Sequence, residues 1–137
     1  MTKLRVVLDT NIYLSGIIFG GNSRHILDLI IKKKIKAITS PGILLEISQK
    51  LKQKFKWSQD KIVLTIKIII KTTRIIKPEE ILRVVKVDKS DNKVIEAAVE
   101  SNSNYIISGD KHLLKIKKYQ KIKIVTPAEY LSIYLKK

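Results

Sequence analysis

The sequence predicts an α/β fold, a three-layer α/β/α arrangement around a central, mostly parallel sheet of about five strands. Short β-branched runs alternate with longer amphipathic segments along the chain, and that alternation is typical of βαβ units. The 137 residues match the usual length of one domain, and the 45% hydrophobic content supplies a core. No linker rich in Ser, Gly or Pro divides the chain, so we expect residues 1–137 to form a single domain.

The first half of the chain opens with a β-branched run at residues 4–8, which predicts a buried strand ending at Asp9. A helix from Thr10 to about Ile18 follows, and Gly20-Gly21 ends it. The elements predicted next are a helix capped by Asn22 or Ser23, a strand at 35–39, a helix from Ser40-Pro41 to about Phe55, a helix opened by Ser58 with Ile62, Val63, Ile66, Ile69 and Ile70 facing inward, and a strand at 74–77.

The second half continues the alternation. Ser90 is placed to cap a helix that runs from Asp91 to about Ser101. The remaining predicted elements are a strand at Tyr105–Ile107, a short helix with Leu113 and Leu114, a strand at 123–125, and a final helix whose start, Thr126-Pro127-Ala128-Glu129, has the pattern of a capping box.

The charge is strongly unbalanced, with 28 Lys and Arg against 12 Asp and Glu, a net charge of +16. A surface this cationic favours polyanionic partners, with nucleic acid first and an anionic membrane second. The cations concentrate at residues 50–77 and 111–123, where they either form solvated helix faces or follow a phosphate backbone. The candidates for the second role are Lys52, Lys56, Lys111 and Lys115.

Several classes of protein are disfavoured by composition. The chain has no cysteine, so a disulfide framework and a thiolate metal site are excluded. No apolar run is long enough to span a membrane, and the first fifteen residues lack the pattern of a secretory signal. We therefore expect a cytoplasmic protein.

Acidic residues are scarce, and four of them fall where a site is expected. Asp9 and Asp110 follow predicted strands, so both should lie at the carboxyl edge of the sheet, where α/β proteins bind their ligands. Asp91 opens the helix that leads to the second of these strands, and Glu46 lies in the third helix. Clustered carboxylates repel one another, whereas a hard cation such as Mg²⁺ or Mn²⁺ prefers oxygen ligands.

Each acid also has a purely structural interpretation. Asp91 is an ordinary acid for a helix N-terminus, Asp110 is placed to cap the short helix after it, and Glu46 is acceptable as a solvated helix residue. Asp9 is the hardest to explain in this way. A carboxylate directly after a buried strand loses hydration unless it is paired or bound to a metal.

Four motifs in order resemble those of PIN domains, and the likeness extends from about residue 3 to residue 132. The motifs are Val6-Val7-Leu8-Asp9-Thr10-Asn11, the segment Ser40-Pro41-Gly42-Ile43-Leu44-Leu45-Glu46, the segment that begins Asp88-Lys89-Ser90-Asp91-Asn92, and Tyr105-Ile106-Ile107-Ser108-Gly109-Asp110. No carboxylate of the pattern is missing.

The resemblance implies a metal-dependent endoribonuclease that cleaves RNA phosphodiester bonds with a metal-activated water. It implies that Asp9, Glu46, Asp91 and Asp110 are the catalytic residues and bind Mg²⁺ or Mn²⁺. It further implies that Asn11 lies near the metal or the phosphate, that the Ser108 hydroxyl steadies a carboxylate or water, and that Asp88 binds through water or shapes its loop. Members are often the toxin of a toxin–antitoxin pair, so a small antitoxin protein and a homodimer are expected partners.

Three alternatives remain open at this point. One is a PIN nuclease that processes RNA and has no antitoxin. Another is a non-catalytic, basic module that binds nucleic acid and whose acids are structural. The third is a phosphatase of the haloacid-dehalogenase kind, but that chemistry needs a second aspartate where this chain has Asn11, and the chain lacks room for the usual cap domain.

Overall fold

The computed structural model describes residues 4–78 and 91–136, apart from the side chain of Asp91. The predicted roles of Asp88 and of Ser90 as a helix cap lie outside the described residues. Within them, six strands and seven helices alternate along the chain. They are β1 (Arg5–Leu8), α1 (Thr10–Ile18), α2 (Gly21–Ile31), β2 (Lys36–Thr39), α3 (Pro41–Gln53), α4 (Gln59–Thr72), β3 (Arg74–Ile75), α5 (Asp91–Glu100), β4 (Tyr105–Ile107), α6 (Lys111–Ile116), β5 (Lys118–Tyr119), β6 (Ile122–Val125) and α7 (Pro127–Leu135).

The strands form one sheet in the order β3-β2-β1-β4-β6-β5, which confirms the predicted α/β fold with a mostly parallel sheet. All neighbours are parallel except β5, which pairs antiparallel with β6. The chain moves from β1 toward β3 and then returns to the other side of β1 to form β4. Right-handed crossovers in opposite directions put helices on opposite faces of the sheet, so the boundary between β1 and β4 is a topological switch point.

The first strand is the centre of the core. Val6, Val7 and Leu8 have no exposed surface, and β1 has a parallel neighbour on each side. Strands buried on both faces are expected to be continuous apolar runs, as this one is. The apolar run ends at Leu8, and the next residue, Asp9, lies at the carboxyl edge of the sheet.

The structure corrects some element details. Helix α2 begins at Gly21, after Gly20 with φ of 96°, so the predicted caps Asn22 and Ser23 lie inside its first turn. A left-handed backbone of this kind favours glycine, which explains why the helix starts there. In α4, Val63 and Ile70 are 38% and 43% exposed, so the prediction that they face inward was wrong.

A sixth strand was also missed. Strand β5 has only two residues, and so short a segment has no alternation of polar and apolar side chains to detect. It extends the sheet beyond the five strands that were expected. Separately, no helix in the described parts of the chain is long and apolar enough to cross a bilayer.

The predicted capping box at α7 is confirmed. The Thr126 hydroxyl accepts a hydrogen bond from the backbone N–H of Glu129 at 3.1 Å, and the Glu129 carboxylate accepts one from the N–H of Thr126 at 2.9 Å. The hydrogen bonds that the Glu129 carboxylate accepts from Thr126 lower its pKa. Helix α7 packs against α2, so the box fixes the start of a helix that covers the core.

Replacing the cap should destabilise the protein. Thr126→Ala removes the acceptor for the Glu129 N–H, and we expect the free energy of unfolding to fall by about 1 kcal/mol. Urea unfolding followed by circular dichroism measures the loss. Ser132→Ala, an exposed site in the same helix, is the matched control and should change stability little. Equal stability of the two variants would contradict the assigned role of the cap.

Candidate active site

Asp9 and Ser108 are brought together by the register of the two central strands. Leu8 of β1 lies opposite Ile107 of β4, so the residues that follow, Asp9 and Ser108, are neighbours at the switch point. The Ser108 hydroxyl donates a hydrogen bond to Asp9 Oδ2 at 2.8 Å, and the Asp9 N–H donates to the carbonyl of Ile107 at 3.0 Å. Asp9 is 5% exposed and Ser108 is fully buried, so this contact is shielded from bulk water.

The same hydroxyl connects Asp9 to the loop that carries Asp110. Ser108 Oγ accepts a hydrogen bond from the N–H of Asp110 at 2.9 Å. Asp110 Oδ1 in turn accepts hydrogen bonds from the N–H groups of His112, at 2.7 Å, and Leu113, at 3.4 Å, so this residue does cap α6. Among the described residues, Oδ2 of Asp110 has no hydrogen-bond partner, and it remains available to a ligand.

The charge of Glu46 also reaches Asp9. Burial raises the pKa of Asp9, and the hydrogen bonds from Ser108 and from the N–H of Thr10 partly offset that rise. The negative charges of Asp110 and Glu46 then raise the pKa of Asp9 further. Two of the predicted acids, Glu46 and Asp110, therefore lie close enough for their charges to act on a third, Asp9.

The fourth acid, Asp91, is the first residue of α5, and its side chain lies outside the described atoms. Helix α5 packs against β1, β2, β4 and α3. A methyl group placed on Gly42, in the first turn of α3, would lie 3.3 Å from Cδ of Lys93. The first turn of α5 is therefore adjacent to the first turn of α3, one helical turn before Glu46.

Asn11 is exposed at the start of α1, and its side chain has a partner that the sequence reasoning missed. Lys50 Nζ donates a hydrogen bond to Asn11 Oδ1 at 3.4 Å, across the interface between α1 and α3. Lys50 is four residues after Glu46, a spacing that places both on one face of α3. That spacing was the available signal, and Lys50 adds a cation one helical turn after Glu46.

The donor chemistry of these acids fits a hard divalent cation. Burial and the negative charges of Asp110 and Glu46 disfavour the ionised form of Asp9, and a bound cation would offset both effects. No three acidic or histidine side chains within the described atoms, which omit the Asp91 carboxylate, are already arranged as a metal-binding group. Mg²⁺ commonly uses only one or two carboxylates and completes its shell with water and substrate phosphate, so the described set satisfies its requirement.

The four candidate lysines are all exposed. Lys111 directly follows Asp110 at the start of α6, and Lys115 lies one turn later. Lys52 is in the last turn of α3, and Lys56 follows that helix with φ of 58°. Lys52 thus shares α3 with Glu46, Lys56 lies just beyond that helix, and Lys111 and Lys115 lie on α6, which Asp110 caps.

The raised pKa of Asp9 predicts a pH-dependent stability without metal. An unfolded aspartate has a pKa of about 3.9, and the folded value is higher, so ionisation of Asp9 costs folding free energy. In metal-free buffer, the free energy of unfolding of the wild type should therefore fall relative to Asp9→Asn as the pH rises from about 4 through the folded pKa. Urea denaturation across that pH range measures the difference.

Asp28→Asn is the control for this comparison, because Asp28 is exposed on α2. Substitution of this exposed residue should change the free energy of unfolding little. A pH profile for Asp9→Asn that does not differ from that of Asp28→Asn would contradict the electrostatic description of the site.

Known proteins resemble this chain in sequence and in fold. A family model described as "PIN domain" matches residues 5–112. An uncharacterized protein of Methanocaldococcus jannaschii, MJ1680, is 37% identical over 148 aligned positions that cover 98% of this chain and 94% of the relative. Among solved structures, a chain of VapBC2 from Rickettsia felis, bound to a DNA fragment from its promoter, has the same fold, with a TM-score of 0.62, 15% identity and coverage of 88% of this chain and 97% of that one. The chain therefore belongs to the PIN domain family, whose members are generally nucleases.

Proposed function

We propose that this protein is an endoribonuclease that requires Mg²⁺ or Mn²⁺ and cleaves RNA phosphodiester bonds. The observation that carries the proposal is the buried Asp9 carboxylate at the switch point, held by Ser108 and opposed by the charges of Glu46 and Asp110. An ionised carboxylate that burial and neighbouring negative charges destabilise is typical of a functional site, because structural carboxylates are normally paired.

Each residue has a distinct role in this proposal. Asp9, Glu46, Asp110 and Asp91 would hold the metal, and a bound Mg²⁺ or Mn²⁺ would activate a water and stabilise the charge on the leaving oxygen. Ser108 fixes the orientation of the Asp9 carboxylate through its 2.8 Å hydrogen bond. The resulting products carry 5′-phosphate and 3′-hydroxyl ends.

Lys50 and Asn11 contribute at the rim of the acids. Lys50 Nζ and the Asn11 amide contact each other, one four residues after Glu46 and the other two residues after Asp9, and we assign them to a phosphate oxygen of the substrate. Further positive charge comes from Lys52 on α3, Lys56 just after it, and Lys111 and Lys115 on α6. Lysine contacts of this kind bind the phosphate backbone and do not read the base sequence, so we propose that they gather and orient single-stranded RNA.

Removing the central carboxylate should abolish cleavage. Asp9→Asn and Glu46→Gln each delete one negative charge from the proposed metal site. Because metal ions supply several kcal/mol of transition-state stabilisation, we expect each change to lower the cleavage rate by at least about a hundredfold. Cleavage of a fluorescent single-stranded RNA in Mg²⁺ or Mn²⁺ is the assay, and binding of the same RNA in a chelator should persist in both variants.

The matched control is Glu100→Gln, an exposed acid at the far end of α5, which should cleave at the wild-type rate. Adding a chelator to the wild type should stop cleavage, and adding back the metal should restore it. Cleavage that continues in the chelator, or at full rate in Asp9→Asn, would overturn the metal mechanism. RNA binding with no cleavage under any metal would favour the alternative of a non-catalytic binding module.

We also propose that the protein is the toxin of a toxin–antitoxin pair and forms a homodimer. The fold similarity to a chain of the Rickettsia felis VapBC2 complex supports the first part. Exposed apolar residues of α4, with Leu64 at 62% and Ile68 at 54%, support the second, because a solvent-facing helix seldom carries such a row. An RNA-processing nuclease of the same fold is the alternative.

The gene beside this one distinguishes these roles. We expect a small adjacent open reading frame whose product co-purifies with this chain and inhibits its cleavage of RNA at equimolar ratio. An unrelated small acidic protein is the control and should not inhibit. The absence of such a reading frame, together with growth that is unaffected by expression of the active nuclease, would favour the RNA-processing role.

A further inference from the structure

We propose that a basic pocket at the amino edge of the sheet, at the end of β1 opposite to Asp9, is a second binding site for the phosphate backbone of RNA. This inference rests on the proposed function only in its choice of RNA as the ligand. We call this site the amino-edge pocket. It has a volume of about 420 Å³, and its charged lining residues are Arg5, Lys33, Lys36, Lys71 and Arg74.

The topology separates this pocket from the acids. Arg5 is the first residue of β1 and pairs with Lys36, the first residue of β2, whereas Asp9 comes after the last residue of β1. A strand rises about 3.3 Å per residue, so four residues put the pocket roughly 13 Å from the acidic edge along the strand direction. A ligand in the pocket therefore does not occupy the site at Asp9.

The charge of the pocket is one-sided. Five of its ten lining residues are cations, and none of the ten, all within the described residues, is acidic. The neighbouring pocket between α1, α2 and α4 provides a contrast, because it is mostly apolar and its two charged residues, Arg24 and Asp28, have opposite signs. High overall basicity does not by itself collect five cations around one concave surface, and an anionic ligand would relieve their mutual repulsion.

The side-chain hydrogen-bond donors of the pocket favour a negatively charged ligand. Nε and Nη2 of Arg5 donate to the carbonyl of Asn102 at 3.2 and 2.9 Å, which fixes the guanidinium and leaves its other N–H groups for a ligand. The hydroxyls of Thr72 and Thr73 donate to the carbonyls of Ile68, at 2.8 Å, and Ile69, at 2.7 Å, so their hydrogens are already committed. The side-chain donors that remain are cationic, and these favour phosphate over a neutral sugar or base.

The positions of the two sites are better explained by a polymeric ligand than by a small anion. The proposed catalytic site and the amino-edge pocket lie at opposite ends of the same short strands, so one ligand reaches both only if it is a chain. Binding at one site raises the effective concentration of the chain at the other, which increases affinity without further contacts. We therefore assign the pocket to a segment of RNA remote from the cleaved bond.

The test compares two double variants of equal charge. Lys36→Gln/Lys71→Gln removes two exposed cations of the pocket, and Lys118→Gln/Lys136→Gln removes two exposed cations from β5 and the end of α7. Binding of a long single-stranded RNA is measured by fluorescence anisotropy in a chelator, over a series of salt concentrations. Because each phosphate contact contributes about 0.7 to the log–log salt slope for single strands, the pocket variant should lower that slope by about 1.4.

The control variant should keep the wild-type slope, and equal slopes in the two variants would overturn the proposal. A dinucleotide has a single phosphodiester group and cannot occupy both sites, so its cleavage in Mg²⁺ or Mn²⁺ should be unchanged in the pocket variant, while the KM for long RNA should rise with kcat unchanged. Amide NMR shifts at Lys36 and Arg74 that respond to long RNA support the assignment. The same shifts with inorganic phosphate, together with displacement of the RNA from the pocket at equal concentration, would reassign it to a small phosphate ligand and overturn the proposal.

This design separates the two proposals. The binding measurement is made in a chelator and does not depend on cleavage. If the wild type cleaves no RNA at all, the proposed nuclease activity fails, whereas the difference in salt slope still decides whether the pocket binds RNA.

Discussion

The hydrogen bond from the Ser108 hydroxyl to the Asp9 carboxylate is the contact on which the candidate site depends. It exists because the parallel pairing of β1 and β4 sets Leu8 opposite Ile107, which makes the next residue of each strand a neighbour. The same hydroxyl accepts the N–H of Asp110, so one buried oxygen orders two acids. A buried hydroxyl that both donates and accepts leaves no polar atom of this contact unsatisfied, which keeps a carboxylate tolerable in a core of apolar strands.

The two edges of the sheet carry charges of opposite sign. The chain carries a net charge of +16, yet at the carboxyl edge of the sheet the negative charges of Glu46 and Asp110 act on Asp9. Five cations meet at the amino edge. No acid lines the amino-edge pocket within residues 4–78 and 91–136, and burial and two negative neighbours disfavour the ionised form of Asp9, so both edges are suited to ligands of opposite sign. A divalent cation and a phosphate chain have those signs, and a nuclease uses both.

Prediction from sequence was accurate where local chemistry decides the structure. The apolar run that ends at Asp9, the Ser40-Pro41 start of α3 and the Thr126 capping box all place elements as the structure has them. It was inaccurate where packing decides. Val63 has the same apolar character as its buried neighbours but lies outside the stripe that α4 presents to α3, and β5 is a strand only because β6 is beside it.

The sequence alone determined the family, the alternation of elements and the four candidate acids, because each depends on residue type and spacing along the chain. The tertiary structure decided which groups share a site. Lys50 contacts Asn11 across 39 positions, and Arg5 joins Lys36, Lys71 and Arg74 around one pocket. Such contacts follow from strand order and helix packing, which relate residues far apart in the chain, and no local pattern encodes the distance between them.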